Sequence, residues 1–273
     1  MLKLRLAAQL LTPALLLAAL AAARPASAQD LAPHRAVYSV TALERGKPSV
    51  GAPGTYAYEL RLTCEGYVVN QRLQLELAGP RAAVASEQQS QMTESRDGKK
   101  LRFEHRTTVS GRQTSLVRGE ALLGDDGSGQ ARFAEPEGQT VALPAGTLFP
   151  VAIARQTIRQ AKAGESGFDA LFFFGEKVKP PQSVNVLIGK VPKRLTDVKI
   201  PEGAEALADG RTRIYYRAGF FDAAAKGQGE PAFEMSSVTL DNGIELYGTH
   251  EESDGGIEYR ITRLEALPKP ECK

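Results

Sequence analysis

Three histidines and two cysteines are the side chains of this 273-residue sequence best suited to metal binding or proton transfer, and their spacing makes neither chemistry local. His34, His105 and His250 are widely scattered, and Cys64 and Cys272 stand alone, so no Cys-rich zinc site can form by local spacing. Acyl-transfer chemistry lacks its usual signature. Gly164-Glu165-Ser166-Gly167 has the wrong spacing for a nucleophile elbow, and no strand precedes it. His105 alternates with Leu101 and Phe103, which fits a hydrogen-bonded core imidazole better than a general base. His250 closes a strand ahead of Glu251-Glu252 and reads as part of a solvated acidic edge. The run Gly124-Asp125-Asp126-Gly127-Ser128-Gly129 lacks the spaced acids of a calcium loop and the Lys-Ser/Thr of a phosphate loop, so it reads as a hairpin tip. No catalytic, metal-ligating or cofactor-binding residue is therefore assigned. A hydrolase or esterase remains the alternative, with a site assembled from His34 or His105 and a distant serine and acid.

The least ordinary chemistry is apolar. Leu171-Phe172-Phe173-Phe174-Gly175 puts rings on both faces of a strand, and Tyr215-Tyr216 poses the same question. Either both faces are covered by core, or Phe172, Phe173, Phe174, Tyr215 and Tyr216 line an apolar groove for an acyl chain or extended peptide.

Such residues need a scaffold, and its compartment is set by the N-terminus. Lys3 and Arg5 precede an uncharged, Leu/Ala-rich stretch over 6–23, and Ala26-Ser27-Ala28 supplies the small residues that a signal peptidase requires. Residues 1–28 are expected to be a signal peptide cut after Ala28, leaving no stable membrane anchor; an uncleaved anchor is the competing reading. Cleavage takes Lys3, Arg5 and Arg24 and no acid from 34 basic and 32 acidic residues, so the precursor's +2 becomes −1. That balance offers nothing with which to displace counterions from phosphate, and nucleic acid is excluded as a first expectation. In an oxidising compartment the two cysteines are most simply one disulfide, Cys64 to Cys272, with a redox-active pair the less favoured alternative because no CxxC occurs. Cys64 alternates with Tyr58, Leu60 and Leu62, so it should point inward.

From Arg35 onward period-two alternation dominates: 35–43, 55–64, 67–77, 101–109 and 113–122 each read as strands, and 168–174, 183–190, 211–220, 233–240, 244–250 and 257–264 follow. Asp241-Asn242-Gly243 suggests a type I′ hairpin. Residues 147–164 break the rhythm as one amphipathic helix. Thr147 is its expected N-cap, Pro150 falls in the first turn and Gly164 is the stop, with Val151, Ala154, Ile158 and Ala161 on the packed face. Arg155, Arg159 and Lys162 lie away from that face, leaving a membrane-surface role as the lesser alternative. Residues 191–210 read as a long loop. The expected fold is mainly β: one domain over 29–273, built as a single antiparallel, strongly curved open barrel or spiral-like sheet of about a dozen strands with one helix.

Leu31-Ala32-Pro33-His34-Arg35-Ala36-Val37-Tyr38, Cys64-Glu65-Gly66-Tyr67 with Asn70 and Arg72, Val186-Leu187-Ile188-Gly189-Lys190, and the strand and turn from Phe233 to Ile244 together resemble the EipB family of alphaproteobacterial cell envelope integrity proteins. The resemblance runs from about Leu31 to the C-terminus. It implies a periplasmic protein with a spiral-like open β-barrel, a disulfide joining Cys64 to Cys272, no established enzymatic activity or catalytic residues to carry over, and a role in envelope integrity. It also implies a cavity suited to a lipid or lipoprotein, and a periplasmic tetratricopeptide-repeat protein as a partner. The reading is thus a non-catalytic periplasmic protein that binds an apolar or extended ligand (lipid, lipoprotein or peptide) or a protein partner, with a ligand-free scaffold as a further alternative. The mature protein recovered from its host is expected to begin at Gln29, and N-terminal sequencing that starts at Met1 would overturn the cleavage.

Overall fold

Alternation of apolar and polar side chains turns most of this chain into strands with one face aimed inward. The computed structural model describes residues 31–43, 51–77, 83–222, 229–253 and 255–272; the expected signal peptide over residues 1–28 lies outside them. Within these residues fifteen strands form one continuous sheet. The first eight are β1 (His34–Ala42), β2 (Gly51–Leu62), β3 (Gly66–Leu77), β4 (Val84–Ser95), β5 (Lys100–Val109), β6 (Arg112–Leu123), β7 (Gly129–Glu135) and β8 (Thr140–Leu143). The rest are β9 (Thr147–Leu148), β10 (Gly167–Phe172), β11 (Gln182–Gly189), β12 (Arg213–Phe221), β13 (Phe233–Leu240), β14 (Glu245–Glu252) and β15 (Gly255–Ala266).

The order runs from β8 down to β1, crosses to β15 and continues down to β9. Antiparallel pairing of β1 with β15 joins the two halves, and the short β9 pairs in parallel with β10. The result is a nearly closed, barrel-like sheet, as the alternation predicts, but with fifteen strands rather than about twelve. The additional strands are β4, β7, β8 and β9. In β4, VASEQQSQMTES, polar residues occupy both faces, so no hydrophobic period marks it.

Helix α1 (Pro150–Lys162) fills one end of the sheet's concave side. Val151 and Ile158 are buried, and Ala154 and Ala161 pack with them against inward side chains of β2 to β8, including Leu60, Met92, Phe103 and Phe133. The helix starts with Pro150 at its first position and stops before Gly164, whose φ of +78° suits a residue without Cβ. Thr147 is not its cap: it lies in β9, and the N-cap position is Phe149. Nor is the polar face a free cationic stripe. Arg155 donates to the Arg96 carbonyl at 2.8 Å, and Lys162 pairs with Asp241 at 3.2 Å.

Two further expectations change. Residues 191–210 hold a 3₁₀ turn over Lys193–Leu195 and a second helix, α2 (Glu205–Ala208), because Leu195, Val198, Ala204 and Ala208 bury against Val238, Leu240 and Leu246. At the β13–β14 hairpin Gly243 alone takes a positive φ, +90°, so the turn is not type I′. Asn242 is 3% exposed and donates to the Leu207 carbonyl at 2.9 Å, which holds the 191–210 segment to the hairpin.

The disulfide joins Cys64 to Cys272 with Cα atoms 5.5 Å apart. Cys64 does not point inward: β2 ends at Leu62, and both cysteines are exposed, the bridge tying the β2–β3 turn to the C-terminal tail. The tail has little apolar surface of its own, so the bridge acts mainly by restricting the unfolded chain. Cys64→Ser is expected to lower stability by about 2–5 kcal/mol, the range for closing a long loop, measured by denaturant unfolding of oxidised protein; an unchanged midpoint would show that the bridge is not a staple.

Candidate functional site

Burial changes along each strand of the N-terminal half, and that change locates the site. On β2 the inward residues Leu60 and Leu62 are buried, while Tyr56 and Tyr58 are half-buried. On β3 Tyr67 and Val69 are buried, whereas Gln71, Leu73 and Leu75 are not. β4 repeats the pattern, from buried Glu94 and Met92 to half-buried Ser90 and exposed Gln88. These residues share one face, since Tyr58 pairs with Gln71, Gln71 with Ser90 and Ser90 with His105. One end of the interior is therefore a filled core plugged by α1, and the other is a lumen open to solvent.

Glu94 sets the boundary between them. It is 2% exposed, and its Oε2 and Oε1 accept the amide hydrogens of Val151 and Ala152, both at 2.7 Å. Two first-turn N–H groups that α1 cannot satisfy itself are thus capped from β4, where the helix dipole also favours negative charge. Burial nevertheless dominates and pushes this carboxyl up to about 7, against the pull of the two amides and of Arg155.

A second carboxylate lies in the lumen itself. Between Val238 and Thr239 of β13 the register with β14 shifts, so that Tyr247 faces Val238 and Glu245 faces Thr239, with Leu246 left over. This bulge turns Glu245 onto the inner face while Tyr247 stays on the outer one, beside Arg260 and Glu258. Glu245 is surrounded by protein yet half-buried, as expected for a group at the bottom of a lumen. Its charge acts on five tyrosines, Tyr38, Tyr56, Tyr58, Tyr216 and Tyr259. Tyr259 donates to Glu245 Oε1 at 3.2 Å, and Tyr38 to the Glu245 carbonyl at 2.9 Å. Rings of Tyr38, Tyr56 and Tyr259 pack with centroids 5.2–5.6 Å apart. Gly248 makes room, because a Cβ there would sit 2.2 Å from the Tyr259 ring. Burial pushes Glu245 up to about 7, with Ser237 and Tyr259 pulling it down, and burial together with Glu245 raises the tyrosines.

The residues expected from sequence to line a groove separate into different surroundings. Phe173 is 2% exposed and packs with Phe103 and Phe149 in the core against α1. Phe174 lies against the His105 ring at 4.5 Å. Phe172 and Tyr216 belong to a cluster with Val184, Val186, Ala218 and Phe220, and Tyr215 packs toward Val238 and the 191–210 segment. Of the five, Tyr216 stands in the ring around Glu245. Sequence reading passed over Glu245, Tyr38, Tyr56, Tyr58 and Tyr259; spaced tyrosines on three alternating strands were the available sign.

Both buried histidines are engaged. His105 has Nδ1 2.9 Å from Ser90 Oγ and Nε2 3.0 Å from the Phe174 carbonyl, and burial lowers its pKa. His34 is 1% exposed, with Nδ1 2.8 Å from the Ala32 carbonyl. The outer face offers a depression of about 330 Å³ over β1 to β4, lined in part by Arg35, Glu59, Arg72 and Gln89. Its charges are matched by neighbours, Arg35 with Glu59 at 2.6 Å and Arg72 with Glu87 at 2.7 Å.

A curled antiparallel sheet, filled at one end by a helix and less fully buried around the tyrosines at the other, defines a β-barrel-like protein. The chain belongs to the EipB-like family, whose model matches residues 25–260. It is similar to the cell envelope integrity protein EipB of Brucella abortus (strain 2308), at 27% identity over 260 residues covering 89% of this chain and 87% of that protein. It also resembles a crystal structure described as a beta-barrel-like protein of a domain of unknown function from Brucella abortus. That match has 25% identity and a TM-score of 0.77, covering 88% of this chain and all of that one.

Glu94 and Glu245 make stability depend on pH with a definite sign. Each is raised from its ordinary 4.5 to about 7, so between those values the native state holds more protons than the unfolded chain. Stability is then expected to fall as pH rises through that window, by at most about 3 kcal/mol per group. Glu245→Gln should remove its share of the slope in urea unfolding between pH 5 and 8; an identical slope would show that Glu245 titrates normally.

Proposed function

We propose that this protein is a non-catalytic periplasmic component of cell envelope integrity that works by holding an apolar, extended ligand in its lumen. The observation that carries this reading is the half-exposed inner face of β2 to β4 and β12 to β13. There Tyr56, Tyr58, Leu73, Leu75, Tyr216 and Met235 pack against the buried clusters yet keep part of their apolar surface uncovered on the inner face. Apolar side chains that line an accessible interior gain free energy when a ligand displaces the water there, by roughly 25 cal/mol per Å² removed from water. The envelope role is supported by the family and by the name of the Brucella relative, and the periplasmic location by the signal-peptide pattern of residues 1–28 in the sequence.

Among the described residues the Ser90–His105 pair is a geometry that favours the hydrolase alternative. Its imidazole is committed on the other side to a backbone carbonyl rather than to an acid, which fits a structural role better. Two measurements test the proposal together. Loss of the protein is expected to sensitise its host to detergents and cell-wall-active drugs, and organic extraction of protein purified from its own envelope should release a stoichiometric apolar molecule. An unaltered sensitivity profile with an empty extract would leave a ligand-free scaffold. Ester turnover lost in both Ser90→Ala and His105→Ala would instead establish the enzyme.

A further inference from the structure

Apart from Arg112, which pairs with the inward Val109 at the β5–β6 turn, the charge on the inner face is one-sided. Following the registers around β1 to β5 and β10 to β15, the inward positions include the carboxylates Glu94, Glu245 and Glu252 and no lysine or arginine. Glu94 is consumed by the α1 amides and Glu252 sits at the rim beside His250. Glu245 is different. Its hydrogen-bond partners are hydroxyls, and no cation stands among the groups that bias it. Near it the half-buried rings of Tyr56, Tyr58 and Tyr216 present electron-rich surface, backed by the buried Tyr38 and Tyr259. A carboxylate without a counter-ion inside a ring of aromatic faces is the chemistry that recognises an organic cation.

We infer that the Glu245–tyrosine ring is a binding site for the ammonium head of a single-chain amphiphile, whose alkyl chain runs along the half-exposed wall of Leu73, Leu75 and Tyr56. This deepens the lumen-ligand reading and rests on it. An alkyl chain is favoured over a peptide for a specific reason. Backbone N–H and C=O groups lining the lumen are already paired strand to strand throughout this ladder, so a peptide would bring amides into the cavity without main-chain partners, whereas a hydrocarbon brings none.

Calorimetric titration of the mature chain with dodecylammonium, dodecyl maltoside and dodecyl sulfate, each below its critical micelle concentration, separates the two levels. Dodecylammonium is expected to bind about tenfold more tightly than the neutral maltoside, and the sulfate more weakly than either. Glu245→Gln should erase the preference for ammonium over maltoside, and Tyr216→Leu should reduce that preference. Near-UV circular dichroism confirms that each variant is folded. The comparison within the wild-type protein stands even if a variant is not. Equal affinity for the three heads, or an ammonium preference that survives in folded Glu245→Gln, would overturn this site while leaving an apolar lumen. Failure of all three chains to bind would overturn the lumen reading with it.

Discussion

The architecture turns on one buried interaction, the carboxylate of Glu94 holding the first two free amides of α1. Without it the helix would enter the barrel with its N-terminal donors unsatisfied in an apolar core, at a cost of about 1–3 kcal/mol for each. With it, β4 and α1 become one unit, and the inward side chains of β2 to β8 have something to pack against. A sheet curled this widely cannot fill its own interior with side chains alone. The helix fills one end, and what it does not reach is the lumen.

Ionisation and hydration in the interior follow from that division. At the plugged end Glu94 is paired with amides, and where the core gives way His105 is paired with Ser90 and the Phe174 carbonyl. At the open end Glu245 is held by hydroxyls in a ring of tyrosines, an arrangement that keeps a carboxylate wet enough to exist and dry enough to be perturbed. Glu245 therefore lowers the stability of the folded chain as pH rises through neutrality. The exposed disulfide lies away from this group and fastens the tail to the β2–β3 turn.

Much of the fold was legible because alternation is a local property. Eleven of the fifteen strands carry it, the Asn-Gly and Asp-Gly turns punctuate them, and Pro150 and Gly164 bracket the helix. The failures have physical causes. Strand β4 was invisible because its inner face lines water as well as core, so Ser86, Gln88 and Ser90 break the hydrophobic period. Cys64 was expected inside because the alternation was carried two residues past the end of β2. Thr147 was expected to cap a helix whose cap comes from a strand more than fifty residues earlier. The Phe172–Phe174 run drew attention through ring density, yet Phe173 is core and the lumen's ring is assembled from tyrosines on four separate strands.

The sequence by itself determined the class of the protein. Its alternation dictates sheet, its two cysteines leave one possible intramolecular bridge, and the words around His34–Tyr38 and Cys64–Tyr67 point to the family. Only the tertiary structure decided which inward residues became core and which became lumen, because a period of two says which face a side chain takes and not what lies opposite. Glu245 shows the limit most sharply. Its inward direction comes from a bulge in the pairing of β14 with β13, and a register between two strands is not written in either one alone.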